Sequence, residues 1–309
     1  MRRGVAILVT LILCLMTYGS KAAPAVVWIA LSDTGGVHAE AAEALRAEFE
    51  RNQPGRVEWR IAHLSQFHSA RPEPQWLVAV GTAAQRAMQD LFGDDPTPPP
   101  LLAILVPRLA FERLADPGRV RSGLQSAVFL DQPPARQMAL VRLALPSLHS
   151  LGILLGPESK AHVPALERAA RERGIHLVAS QVVESGLFPA LQGLLPQVDA
   201  LLAVPDPLVF NGQTAANILA ATYRRRLPLI GFSPAYARAG ALVSLHSTPA
   251  QVGERGGELL YQAFAGRALP PPQWPRDFVV TVNVDVARSL GLPLDEARLA
   301  EALHQKEKP

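Results

Sequence analysis

Short apolar runs alternate with longer amphipathic stretches along almost the whole chain. In the first half the runs are AVVWIAL (25–31), RVEWRIA (56–62), WLVAVG (76–81) and LLAILV (101–106). A second series follows: SLGILLG (150–156), IHLVASQVV (175–183), ALLAVP (200–205) and LPLIGFS (227–233). Between them, HAEAAEALRAEFERN, AAQRAMQDLF, VPALERAARERG and TAANILAATYRRR carry apolar residues at helical spacing. Near-continuous apolar strands separated by helices predict an α/β fold with parallel sheets covered on both faces. Right-handed crossovers follow as the default.

The two series are parted by SGLQSAVFLDQPPARQ, which has a strand-like run before Pro133 and Pro134. Prolines 98–100 and 270–272 are further breaks, and the second reads as a linker between lobes. After GALVSLH comes one more amphipathic helix, TPAQVGERGGELLYQAFAG, and DFVVTVNVDVARSLGLPL adds a strand and a short helix. The expectation is two lobes. Lobe 1 covers 24–130 and is completed by about 245–272; lobe 2 covers 131–244 and is completed by about 273–305. A chain of 309 residues is long enough for two separate cores.

The first residues bear on location. MRRG is basic, VAILVTLILCLMTYG is apolar, and Ser20 and Ala22 are small, which is the pattern of a secretory signal peptide cut near Ala22 or Ala23. A retained membrane anchor is the alternative, but the run is short for a span of about 20 residues. The single cysteine, Cys14, lies in this segment and follows the large Leu13, which does not suit lipidation. Export to the periplasm through a cleavable signal at 1–23 is expected, leaving no thiol chemistry. The formal charge of +3 also comes from this segment: without Arg2, Arg3 and Lys21, basic and acidic residues are equal in number. No basic field remains, so a nucleic-acid partner is not expected. The run Arg224 to Arg226 reads as decoration of a helix end.

In open parallel sheets, ligands sit beyond the carboxyl ends of the strands, which directs attention to four strand-to-helix turns. Ser32, Asp33 and Thr34, followed by two glycines, can cap a helix or touch a ligand. Gly81, Thr82 and Ala83 open a helix whose free N–H groups suit a carboxylate, without the glycines and lysine of a phosphate loop. Asp206, between Pro205 and Pro207, ends an apolar strand. It is expected either to pair with a ligand's ammonium or hydroxyls, or to serve as a cap or distant ion-pair partner. Gly231-Phe232-Ser233-Pro234-Ala235 has the outline of a hydrolase nucleophile elbow. Pro234 lacks the N–H that the oxyanion would need, and it fits better as the first residue of a helix capped by Ser233. Phe210 and Tyr236 fall near these turns and could stack on a ligand. The eight histidines are scattered without metal-ligand spacing, and no dinucleotide fingerprint follows a strand, so neither metal nor cofactor is called for.

The second half carries a resemblance. PDPLVFNG, RLPLIGFSPAYARAGALVSLHSTPAQVGERGGELLYQAFAGR and VNVDVARSLGLPL resemble the ABC transporter substrate-binding family whose best-known members are called tryptophan/tyrosine-type. The shared features are Asp206, Leu227–Pro228, Ser233, Gly240 to Leu242, the helix bounded by Gly253 and Gly266, and Asn283 with Ala287 and the closing leucines. GTAAQRAM matches the family's Gly-Thr-x-Ala turn, while Ser122-Gly123 replaces the threonine-glycine common at the first crossing. The resemblance implies a type I periplasmic-binding fold: two Rossmann-like lobes, three crossing segments, and a ligand between them. It further implies that Thr82 and Ala83 hold a carboxylate and Asp206 an amine. The function implied is a non-enzymatic, monomeric solute-binding protein that captures a small, polar, amino-acid-like ligand and hands it to an ABC permease in the inner membrane. A sensory module serving a membrane receptor and a serine hydrolase built on Ser233 are the alternatives.

Overall fold

The computed structural model describes residues 24–67, 73–182 and 186–307, so the proposed signal at 1–23 lies outside the described residues. The first sheet is built from β1 (Ala25–Leu31), β2 (Val57–His63), β3 (Trp76–Val80), β4 (Leu101–Val106) and β5 (Gln125–Phe129). Its order is β2-β1-β3-β4-β5, all parallel. The second sheet comprises β6 (Ser150–Leu155), β7 (His176–Gln181), β8 (Ala200–Leu202), β9 (Leu229–Gly231), β10 (Val243–His246) and β11 (Val279–Val282). Its order is β11-β10-β9-β8-β6-β7, parallel except for the antiparallel β10–β11 pair.

Both faces of each sheet are covered, which is why the strands read as unbroken apolar runs. Along β1, Val27, Ile29 and Leu31 enter one core cluster while Val26, Trp28 and Ala30 enter another. The edge strand β7 is the exception, with half-exposed and exposed positions. β8 and β9 are shorter than their apolar runs. Pro205 has no N–H to offer the ladder, and β9 gives way to a helix at Pro234.

The late helix Pro249–Phe264 lies directly on the early helix Gly36–Asn52. A Cβ at Gly253 would stand 2.2 Å from the Ala41 carbonyl oxygen, and one at Gly257 would stand 2.5 Å from that of Leu45. Two glycines four apart share one helix face and let the backbones touch. This close approach is where the chain returns to the first sheet. It leaves again beside β5, where Gln273 N–H donates to Ala127 O and Phe129 N–H to Gln273 O.

Candidate functional site

A cavity of about 450 Å³ opens where the carboxyl ends of the two sheets meet. Val37, His38 and Leu105 line it from the first sheet's side. His162, Val204, Pro205, Phe232, Ser233 and His246 line it from the second, and Leu130 to Gln132, Ser247, Thr248 and Trp274 from the crossing segments. Leu105 has a φ of 53° and sits in a register shift between Ile104 and Val106. A left-handed leucine costs about 1–2 kcal/mol, and here the irregularity falls at the end of β4 that meets the cavity.

Polar side chains tie the crossings together under this floor. Gln132 Nε2 donates to Ser247 Oγ at 2.9 Å, and Ser247 Oγ donates to Asp277 O at 2.6 Å. Arg136, buried, donates to Gln132 Oε1 and to the carbonyls of Pro275 and Arg276, with its guanidinium over the Phe278 ring at 4.4 Å. Arg136 therefore touches two crossings directly and reaches the third through the Gln132–Ser247 bond. Asp131 accepts the Arg108 N–H at 2.5 Å, and burial pushes its carboxyl above the usual range. Burial, followed by the Arg108 guanidinium, lowers the pKa of His162 to about 4, against the opposing pull of Asp206. His246 is lowered by burial and Arg238, and its Nδ1 is buried without a partner. Both imidazoles are uncharged at neutral pH.

The turns singled out in the sequence come out differently from one another. Ser233 lines the cavity, and its hydroxyl makes no hydrogen bond among the described residues. No imidazole pairs with it as a catalytic base would. Asp206 is only 3% exposed and does not line the cavity. Its Oδ2 accepts Ser159 N–H and Ser159 Oγ–H, both at 2.8 Å, and its Oδ1 accepts Leu208 N–H at 2.9 Å. A Cβ on Gly156 would overlap this carboxylate at 2.2 Å. Of the two roles the sequence allowed Asp206, this geometry supports local capping, since its donors come from within the protein.

Ser32, Asp33, Thr34, Gly81, Thr82 and Ala83 do not line the cavity. Ser32 Oγ accepts Ala84 N–H at 2.9 Å and so caps the helix Thr82–Phe92, while Asp33 Oδ1 accepts Gly35 N–H at 3.1 Å in the turn before the helix Gly36–Asn52. Gly81 has a φ of 90°, and a Cβ there would meet Ser32 Oγ at 2.5 Å and His38 Nε2 at 2.7 Å. That close approach explains the glycine. Phe210 and Tyr236 line a different groove of about 770 Å³ between the helices Ala215–Arg224 and Pro234–Ala239, which shares only Phe232 with the cavity. Their rings pack edge to face at 6.1 Å, and burial pushes the Tyr236 phenol up to about 12.

His38, Asp131, His162, His246 and Trp274 were not foreseen. The strand-end rule would have found two of them, since Asp131 follows β5 and His246 ends β10; His162 and Trp274 reach the cavity only through tertiary packing. Among the described residues no group of three or more histidines, cysteines or acids is placed to hold a metal ion. No helix there is long and apolar enough to cross a membrane.

A family model described as ABC transporter substrate binding protein matches residues 108–306. No curated protein matches the chain. Among solved structures, the ligand-free, open form of a substrate-binding protein with adhesive properties from Clostridium difficile superposes with a TM-score of 0.71 at 16% identity, covering 88% of this chain and 96% of that one. An ABC domain in complex with L-Trp from Streptococcus pneumonia gives 0.64 at 14%, covering 90% and 98%. A periplasmic ribose ABC transporter structure from Conexibacter woesei gives 0.56 at 15%, covering 92% and 99%. These likenesses establish the fold, that of the type I periplasmic binding proteins.

Proposed function

The chain belongs to the ABC transporter substrate binding protein family, matched over residues 108–306, and from that premise we propose that it captures a small organic molecule of amino-acid size between two lobes and delivers it to a permease in the inner membrane. The lobes in this reading are 24–130 with about 245–272, and 131–244 with about 273–305. It works in the periplasm as a monomer, released from the signal at 1–23, and performs no covalent step. The observation that carries the reading is the cavity of about 450 Å³ that draws its lining from both sheets and from the crossings. Its volume lies within the range of small-molecule sites.

Closure follows from that arrangement. A ligand touching residues on both sides binds the closed form better than the open one, and shifts the population by that difference. The crossings joined through Arg136, Gln132 and Ser247 are where the backbone would pivot. Micromolar affinity corresponds to about −8 kcal/mol, within reach of an apolar cavity with a few polar contacts.

The test is a thermal-shift screen of small metabolites on the chain without residues 1–23, followed by small-angle scattering with each hit. A hit should raise Tm and reduce the radius of gyration. Val37→Trp, placed at an exposed position on the cavity rim, should abolish both responses. Hits indifferent to Val37→Trp would place binding elsewhere.

A further inference from the structure

Two side-chain contacts join the first sheet's side of the molecule to the second's at a place outside the crossings. Arg113 Nη2 meets Glu158 Oε2 at 3.4 Å, and Arg108 Nη2 meets His162 Nδ1 at 3.5 Å. Both arginines belong to the helix Arg108–Leu114, which follows β4. Both partners belong to the turn at 156–162, which follows β6. One helix and one turn therefore touch at two points across the gap between the sheets.

Each side of this contact is held by a buried carboxylate. On the first side, Asp131 accepts the Arg108 N–H at 2.5 Å, and the Arg108 guanidinium is steadied by Glu112 Oε1 at 2.6 Å and the Trp274 ring at 5.7 Å. On the second, Asp206 Oδ2 accepts both the N–H and the hydroxyl of Ser159, and Ser159 Oγ accepts Gly156 N–H at 3.0 Å. Ser159 is fully buried and sits between Glu158 and His162 in the chain. Burial keeps His162 uncharged, so its Nδ1 can accept from the guanidinium.

We propose that the helix Arg108–Leu114 and the turn 156–162 form a latch that holds the two lobes in the arrangement seen here, and that Asp206 is a positioning residue for it, setting the turn so that Glu158 and His162 reach the two arginines. This rests on the binding-protein reading above and names what steadies the cleft. Asp206 acts on binding without touching ligand: the latch raises the population of the competent arrangement, and apparent affinity rises by the same factor. The Arg113 and Glu158 side chains are 55% and 51% exposed, so their pair is weak enough to open again.

The first experiment needs no ligand. The chain without residues 1–23 has no cysteine, so spin labels are placed at Asp90→Cys and Arg224→Cys, exposed positions on helices of the two sheets. Electron–electron distance distributions are read for this background and for Arg113→Glu, Glu158→Arg and the two combined. Each single reversal should move the mean by more than about 2 Å and broaden it, and the combined swap should restore it. Asp206→Asn should cause the same change alone and little more when added to Glu158→Arg. Single reversals that leave the distribution unchanged overturn the latch. Asp206→Asn that lowers Tm without moving the distance overturns its positioning role, since a purely structural acid would do only that. A ligand found by thermal shift should bind each single reversal about threefold or more weakly and the combined swap normally; equal affinity throughout overturns the link to binding. Distances that move as expected, with no ligand found, support the latch and count against the binding-protein reading alone.

Discussion

β8 and β9 lie side by side in the second sheet, and each runs into a turn with one polar residue next to proline. After β8 the turn is Pro205-Asp206-Pro207; after β9 it is Phe232-Ser233-Pro234. Asp206 turns inward, where three donors from Ser159 and Leu208 saturate it. Ser233 faces the cavity with an unengaged hydroxyl. The difference follows from what each group costs when unpaired. A carboxylate in an apolar wall must be fully hydrogen-bonded or give up its charge, whereas a hydroxyl at a solvent-accessible cleft loses little by waiting for a partner. Gly156 completes the contrast, because its missing side chain is the space the Asp206 carboxylate fills. A strand-end acid is therefore weak evidence for a ligand contact until its donors have been counted.

Removing the acid should give the largest effect. Asp206→Ala leaves the Ser159 and Leu208 donors buried without an acceptor, and should destabilise the fold by about 3 kcal/mol in urea denaturation. Asp206→Asn, which keeps one acceptor oxygen, should lose roughly half as much. If Asp206→Ala instead keeps its stability and loses only ligand response, the acid belongs to the site after all.

Acid should have the next largest effect, through the buried imidazole of His162. The folded-state pKa of His162, about 4, lies below the ordinary value of 6.5. Between those two values the unfolded chain binds more protons, so stability falls as pH drops from about 6.5 to about 4. The loss should reach roughly 2 kcal/mol after allowance for partial exposure. His162→Gln should flatten that part of the pH–stability curve, and an unchanged slope would assign it to other groups.

The smallest structural effect is expected at the free hydroxyl. Ser233→Ala should shift stability by no more than about 0.5 kcal/mol while weakening ligands that hydrogen-bond there by about tenfold. Calorimetry and denaturation on the same preparation separate the two. A large stability loss with unchanged affinity would reverse the contrast with Asp206.

Much of the architecture was legible in the chain. Ten of the eleven strands among the described residues were marked by apolar runs or by strand-like segments such as QSAVF and VVTV, because burial on both faces disfavours polar residues in the central strands; VSLH, the tenth in chain order, was not marked. Gly253 and Gly257 could be read as features of a helix, but their partners Ala41 and Leu45 lie some two hundred residues earlier, and no local pattern reveals that contact. The site was half legible for the same reason. Ser233 sits at a strand end and faces the cavity, as the strand-end rule predicts. Phe210 and Tyr236 obey the same rule of proximity yet turn to a neighbouring groove, since side-chain direction is set by packing and not by position along the chain.

By itself the sequence determined the alternation of strand and helix, the mainly parallel character of the two sheets and the turns at which chemistry could collect, because hydrophobic periodicity and proline geometry act over a few residues; the antiparallel β11 was left to the tertiary structure. Only the tertiary structure decided which polar turns face the shared cavity and which are sealed by donors from distant segments. Saturation of a charge depends on where Ser159 and Gly156 come to rest beside Asp206, about fifty residues along the chain, and that placement is a property of the packed whole.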